Sequence, residues 1–168
     1  MCLLKEFEEF IKSPNAFSKN NPVGHITGSC WILNSKMDCV LLTHHRKLNI
    51  WIPPGGHSEG ETNPLSIAIR EGFEETGLKL QLLDSQPFSK DIHIIPKYKE
   101  TLAHKHFDFT FLFYTINNHN FTISTESHDL KWIPLNDVEK FCNEKNVIYM
   151  RDKTLNLINN GIISILNK

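Results

Sequence analysis

The sequence lacks long hydrophobic runs, and this absence argues against a transmembrane protein. No apolar stretch approaches the roughly 18 consecutive residues that a membrane-spanning helix needs. The N-terminal stretch MCLLKEFEEFIK mixes acidic and basic residues from its fifth position, so it also lacks the apolar region of a secretory signal. It predicts instead an amphipathic helix over about residues 1–13. We therefore expect a cytoplasmic protein with no membrane partner.

Excess charge of one sign, paired cysteines and low-complexity linkers are also missing. The formal net charge of −1 gives no general attraction to a nucleic-acid polymer or an anionic membrane. The four cysteines form no CxxC pair, which favours reduced thiols. No internal repeat or Gly/Ser tract divides the 168 residues, so we expect one domain over residues 1–168. The sequence leaves open whether two copies associate as a homodimer.

The hydrophobic pattern that is present predicts a mixture of strands and helices. Residues 25–33 and 38–44 are apolar, β-branched runs that indicate a hairpin. Further strands are expected at 78–83, 91–96, 104–116 and 129–135, and further helices at 136–144 and about 151–166. This order predicts an α/β (α+β) fold in which a mixed β-sheet is flanked by helices.

The strongest helix signal covers residues 64–76. Asn63 is a favourable N-cap, Pro64 suits the first helical position and Gly77 is a typical C-terminal stop. Helical periodicity predicts a core-facing stripe made of Leu65, Ala68, Ile69, Gly72 and Phe73. Three carboxylates are then expected together on another side of the helix: Glu71, Glu74 and Glu75.

Clustered carboxylates repel one another unless a cation lies between them. Oxygen ligands of this kind suit Mg²⁺ or Mn²⁺, so the cluster is a candidate metal site. The alternative is a solvated helix face without a function, which is the commoner role of an isolated Glu-Glu pair.

The loop before this helix, WIPPGGHSEGETNP, favours the metal site. Loop and helix together resemble the signature of the Nudix hydrolases, the MutT-like family, written G-x5-E-x7-R-E-U-x-E-E-x-G-U with U a bulky aliphatic residue. The resemblance covers residues 56–78 and rests on Gly56, Arg70, Glu71, Glu74, Glu75, Gly77 and Leu78. Two positions depart from the signature. Its loop glutamate falls on Thr62, so we expect Glu61 to reach Arg70 instead, and an aliphatic position is Gly72, where we expect the loop or a strand to pack closely.

The resemblance implies a Nudix-type α/β/α sandwich and a reaction in which metal-activated water attacks phosphorus. The substrate would be a nucleoside diphosphate linked to another moiety, which makes a small nucleotide derivative the expected partner. The same resemblance implies that Mg²⁺ or Mn²⁺ is bound by Glu71, Glu74, Glu75 and the backbone carbonyl of Gly55. Arg70 is then expected to orient the glutamates through charge-assisted hydrogen bonds. The sequence leaves open which glutamate acts as general base. It also leaves open the alternative that the chain is a catalytically inactive member of the family that only binds a nucleotide or a partner.

Candidate site residues also lie outside this segment. Glu126 precedes a strand tryptophan and is a candidate further ligand or general base, with a solvated loop glutamate as the alternative. Trp51 could stack on a base, and Arg46 could contact a phosphate, although core packing and a solvated turn are their respective alternatives.

The segment HKHFDFTFLF at 104–113 alternates between two faces. Its phenylalanines, expected to be buried against a helix, are Phe107, Phe109, Phe111 and Phe113. On the opposite face, His104, His106 and Asp108 are expected to line the cleft and bind substrate. A hydrogen-bonded polar network is one alternative. The other is a zinc site completed by Asp108 or His93, which would make the protein a zinc hydrolase.

Overall fold

The computed structural model describes residues 3–97, 99–116 and 121–163. Its centre is a parallel pair of long strands, β1 (Gly24–Leu33) and β7 (His104–Tyr114), registered from Gly24 opposite Lys105 to Leu33 opposite Tyr114. The other edge of β1 is shared by two antiparallel strands. β4 (Gly55–His57) pairs with the middle of β1, and β2 (Cys39–His45) pairs with its end.

Four shorter strands complete a mixed eight-stranded sheet. β3 (Ile50–Ile52) and β8 (Ser127–Pro134) pair with β2, while β5 (Gln81–Leu82) and β6 (Ser89–Ile95) pair with β7, all antiparallel. The expected strand at 78–83 is thus reduced to two residues, because Gly77 turns the chain and Leu78 is buried in the core.

Helices cover both faces of this sheet, which confirms the predicted fold class. They are α1 (Leu3–Phe10), α2 (Pro64–Thr76) and α3 (Lys145–Asn159). Alternate side chains of β1 enter opposite core clusters: Ile26 packs on the side of α1 and α2, and Trp31 on the side of α3. The indole of Trp31 donates to Thr154 Oγ1 of α3 at 2.8 Å. Among the described residues, no helix is long and apolar enough to cross a membrane.

The C-terminal helices differ from the prediction. The segment expected as a helix at 136–144 forms a 3-10 helix at Leu135–Lys140, and α3 begins six residues before the expected position 151. Gly161, with φ of 67°, follows the end of α3 in the left-handed conformation that stops a helix. The predicted end at 166 lies outside the described residues.

The phenylalanine face of β7 is buried against α1, as predicted. Phe107, Phe109, Phe111 and Phe113 all belong to the core. Phe10 stacks on Phe107 with ring centroids 3.8 Å apart, and Phe7 meets the same ring edge-on at 5.5 Å. This packing fixes β7, and with it the polar face that β7 presents on its other side.

Candidate active site

Helix α2 carries the candidate carboxylates, and its ends form as predicted. The side chain of Asn63 accepts a hydrogen bond from the backbone N–H of Leu65 at 2.9 Å. Gly77 closes the helix in the left-handed conformation with φ of 68°. The helix therefore has a fixed start and a fixed end.

The face that α2 turns to the sheet coincides only in part with the predicted stripe, because Ala68 and Gly72 are buried and Leu65 packs against the core, but Ile69 and Phe73 do not. Ile69 and Phe73 are 47% and 58% exposed, whereas the buried side is formed by Ile67, Ala68, Gly72, Glu75 and Thr76. Close backbone packing decides this rotation. A Cβ built on Gly72 would lie 2.7 Å from the Cys30 sulfur, and one built on Gly28 would lie 2.6 Å from the carbonyl oxygen of Pro64. The expected close packing at Gly72 is present, and it turns Glu75 inward.

Two carboxylates lie against the glycines of β4. Glu75 is only 5% exposed, and its Oε2 accepts a hydrogen bond from the backbone N–H of Gly55 at 3.0 Å. The Glu71 carboxylate lies over Gly56, where an added Cβ would be 2.6 Å from Oε2. A side chain at Gly56 would therefore displace Glu71.

Burial and mutual repulsion weaken the acidity of both groups. Burial first, then the charges of Glu71 and Glu126, raises the pKa of Glu75 to about 7 against the opposing Gly55 hydrogen bond. Burial also raises the pKa of Glu71, and the charges of Glu74 and Glu126 add to this while Arg70 opposes it. The site concentrates negative charge that its own arginine offsets only in part.

Arg70 pairs with carboxylates, as predicted. Its guanidinium lies 2.9 Å from Glu71 and 3.0 Å from Glu74, and it donates to the carbonyl oxygen of His57 at 2.5 Å. The loop carboxylate near it is Glu59, at 3.7 Å, and not the expected Glu61. The positive φ values of Glu59 and Gly60 turn the loop there, which the spacing of the motif does not reveal.

Glu126 lies on the exposed loop that leads into β8. Its charge contributes to the raised pKa of both Glu71 and Glu75, so the loop lies beside the carboxylates of α2. Arg46 holds this loop: its backbone N–H donates to the Glu126 carbonyl at 2.9 Å, and its guanidinium donates to the Ser127 carbonyl at 3.0 Å. The structure thus gives Arg46 a supporting contact, and its predicted contact with phosphate stays a prediction.

Trp51 lies on β3, half-buried beside other rings. It stacks on His44 at a centroid distance of 5.0 Å and meets Phe141 edge-on at 5.8 Å. The ring therefore packs at the margin of the second core cluster, and its predicted role in stacking a base stays a prediction.

The polar face of β7 divides into two parts. Asp108 is 6% exposed, and its carboxylate accepts hydrogen bonds from Thr27, Ser29 and Thr110 at 2.7–2.8 Å. Asp108 therefore belongs to a buried hydrogen-bonded network, which was one of the two alternatives to a substrate-binding role. His104 and His106 instead meet further histidines.

The residue that sequence reasoning missed here is His25. Its Cα is registered opposite that of His106, so its ring falls among those of His57, His104 and His106 at centroid distances of 4.7–4.9 Å. Neither the parallel pairing of β1 with β7 nor this register can be read from a single sequence, since both depend on distant parts of the chain.

Comparison with known proteins identifies a matching family model and relatives from other organisms. A family model described as NUDIX domain matches residues 25–152. Over 58 residues the chain is 43% identical to the m7GpppN-mRNA hydrolase NUDT17 of Homo sapiens, which covers 32% of this chain and 18% of that protein. Over 67 residues it is 33% identical to the asymmetrical bis(5'-nucleosyl)-tetraphosphatase of Mus musculus, covering 39% of this chain and 46% of that one. The matches thus span less than half of either relative.

Solved structures resemble the fold over more of the chain. A hydrolase of the NUDIX family from Clostridium perfringens superposes with a TM-score of 0.64 and 26% identity, covering 79% of this chain and 97% of the other. The binary complex of an Ap4A hydrolase from C. elegans gives a TM-score of 0.63 at 18% identity, covering 81% and 98%. The second likeness concerns the fold alone.

Proposed function

This chain belongs to the NUDIX domain family, and we propose that it is a hydrolase that uses Mg²⁺ or Mn²⁺ to cleave the pyrophosphate bond of a nucleoside diphosphate linked to another group. One observation carries the proposal: Glu71 and Glu75 lie against the glycines of β4 with their acidity weakened by burial and mutual repulsion. A folded protein gains nothing from such an arrangement without a cation to offset it.

The residues present suit a hard dication. Glu71, Glu74, Glu75 and the carbonyl of Gly55 supply only oxygen donors, which Mg²⁺ and Mn²⁺ prefer. Arg70 cannot be neutralised and cannot itself act as a ligand. When bound, such an ion offsets phosphate charge, polarises a P–O bond and lowers the pKa of a coordinated water.

The side chains of this protein have separate tasks around that ion. Arg70 holds Glu71 and Glu74 in place through two charge-assisted hydrogen bonds. Its third bond, to the His57 carbonyl, ties the loop of the motif to α2. Glu126, exposed beside the cluster, is the proposed further ligand or general base, because it can exchange protons with solvent.

We further propose a substrate class in which a polyphosphate joins two nucleosides. The name of one relative specifies m7GpppN, and the name of the other specifies two nucleosyl groups on a tetraphosphate.

A panel of nucleotide pyrophosphates tests both the proposed metal-dependent hydrolysis and the proposed substrate class. The full-length chain is incubated with nucleoside triphosphates, nucleotide sugars, dinucleoside polyphosphates and a cap analogue, each with Mg²⁺, Mn²⁺ or EDTA, and the products are separated by anion-exchange chromatography. We expect cleavage with either metal ion, none in EDTA, and the highest kcat/KM on a dinucleoside polyphosphate or the cap analogue. Tight binding without turnover of any substrate would instead favour a catalytically inactive nucleotide-binding domain.

A further inference from the structure

A second group of metal-ligand side chains lies outside the carboxylate cluster. One ligand atom from each of His25, His104 and His106 lies within 4.8 Å of the others. The ring centroids are 4.7 Å apart for His25 and His106, 4.9 Å for His25 and His104, and 5.2 Å for His104 and His106. We name this group the histidine cluster.

The ring nitrogens at its centre have no partner within the described part of the chain. His25 is 2% exposed, and neither its Nδ1 nor its Nε2 makes a hydrogen bond to a described residue. The Nε2 of His106 is buried and equally unpartnered. Buried polar atoms are hydrogen-bonded in the great majority of cases, and leaving one unpaired costs about 1–3 kcal/mol. The fold retains this cost at one point where three imidazoles meet.

Neighbouring groups do not supply the missing bonds. The Asp108 carboxylate, two residues from His106, accepts from three hydroxyl groups and faces that network. His93 packs its ring 5.4 Å from that of His106 but pairs with Asp91 at 3.0 Å. Asp108 and His93, the third ligands of the alternative zinc site considered from the sequence, are thus engaged elsewhere, and His25 takes the third position.

Charge argues against an anion as the occupant. Burial, followed by the neighbouring histidines, lowers the pKa of His25 to about 4 and that of His106 to about 2. Neutral imidazoles offer lone pairs rather than positive charge, so they suit a metal ion and attract phosphate poorly.

We propose that His25, His104 and His106 bind a divalent transition-metal ion of the Zn²⁺ class, at a site separate from the carboxylates. Three imidazoles select Zn²⁺ or a similar ion over Mg²⁺. Tetrahedral zinc with Zn–N bonds of 2.0–2.1 Å needs ligand atoms about 3.3 Å apart, so the rings must approach one another by about 1.5 Å at most.

The surroundings of His104 and His57 fit such a site. The Nδ1 of His104 lies 2.8 Å from the Leu102 carbonyl, a bond that leaves Nε2 free for a metal. The His57 ring lies 4.8 Å from that of His25 and 5.3 Å from that of His106, so a further imidazole borders the histidine cluster. The ion would cross-link β1 to β7 and steady the loop whose His57 carbonyl accepts from Arg70.

Metal binding by the tag-free full-length protein tests this proposal. The chain is stripped with a chelator, exchanged into Zn²⁺ with a large excess of Mg²⁺, and assayed for bound zinc by mass spectrometry and for thermal unfolding. We expect about one zinc ion per chain and a higher Tm. Co²⁺ should give the visible absorption bands of a tetrahedral nitrogen site.

Variants separate the histidine cluster from other sites. The half-buried His104→Ala should weaken zinc affinity at least about tenfold and abolish the cobalt bands, while the exposed His128→Ala, outside the cluster, should change neither. Glu74→Gln/Glu75→Gln should retain the zinc. Absence of bound zinc, zinc displaced by Mg²⁺, or equal affinity in His104→Ala would overturn the proposal.

Discussion

At the residue scale, the buried carboxylate of Glu75 makes a prediction about pH. Its pKa is raised to about 7, so the folded, metal-free protein holds this proton more tightly than the unfolded chain does. Between about pH 4.5 and 7 the folded state binds more protons, and stability must fall as pH rises through that window.

Glu75→Gln removes this dependence. In EDTA, we expect the variant and the native chain to unfold with equal free energies near pH 4.5. The variant should be more stable above pH 7, by an amount on the order of 2–3 kcal/mol. Urea denaturation at several pH values measures the difference. The exposed Glu74→Gln is the control for the loss of one carboxylate charge at the site, and a Glu75→Gln curve parallel to the native one would contradict the account.

Arg70 makes a second prediction at this scale. Arg70→Ala removes three carboxylate pairs and the bond to the His57 carbonyl, so Mn²⁺ affinity and thermal stability should fall together. We expect a loss of affinity of about tenfold or more by calorimetry. Arg70→Lys keeps the positive charge but loses the planar guanidinium group, so it should retain only part of the Mn²⁺ affinity and part of the thermal stability. Unchanged Mn²⁺ affinity in Arg70→Ala would remove the orienting role.

At the element scale, the contact of α2 with β1 sets which side chains face the site. Gly72→Ala places a Cβ 2.7 Å from both the Cys30 sulfur and Leu80, so the gain in helix propensity is outweighed. We expect the free energy of unfolding to drop by about 1–2 kcal/mol. Ile69→Ala, on the exposed side of the same helix, should cost much less. Equal losses in both variants would show that Ile69 is buried as Gly72 is, which the predicted stripe requires and the observed face does not.

The elements themselves were largely predictable because local chemistry specifies them. Asn63, Pro64 and Gly77 fix the limits of α2, and alternation fixes the two faces of β7. The exposure of Ile69 and Phe73 was not predictable, because both are hydrophobic residues at helical spacing and only the close approach of Cys30 to Gly72 shows how α2 is rotated. The position of His25 was not predictable either, because it depends on the parallel pairing of β1 with the distant strand β7. Contacts within a segment follow from its sequence, whereas contacts between distant segments do not.

At the scale of the whole molecule, the sheet brings five separate segments of the chain close together. β4 supplies the glycines, α2 the carboxylates, the loop before β8 supplies Glu126, and β1 with β7 forms the adjoining histidine cluster. The carboxylates and the histidines differ in ligand chemistry, so each should respond to its own metal. Chelation followed by Mg²⁺ alone should restore hydrolysis, and Zn²⁺ alone should raise the Tm.

The most direct test of the central claim is the turnover number of Glu75→Gln and Glu74→Gln with saturating Mg²⁺, on whichever pyrophosphate the native chain hydrolyses best. Because these carboxylates are the proposed ligands of the metal ion, we expect kcat to fall by at least about a hundredfold in each, with the fold retained by circular dichroism. His128→Ala should keep the native rate. Native turnover in both glutamate variants, or full activity of the native chain in EDTA, would contradict the account.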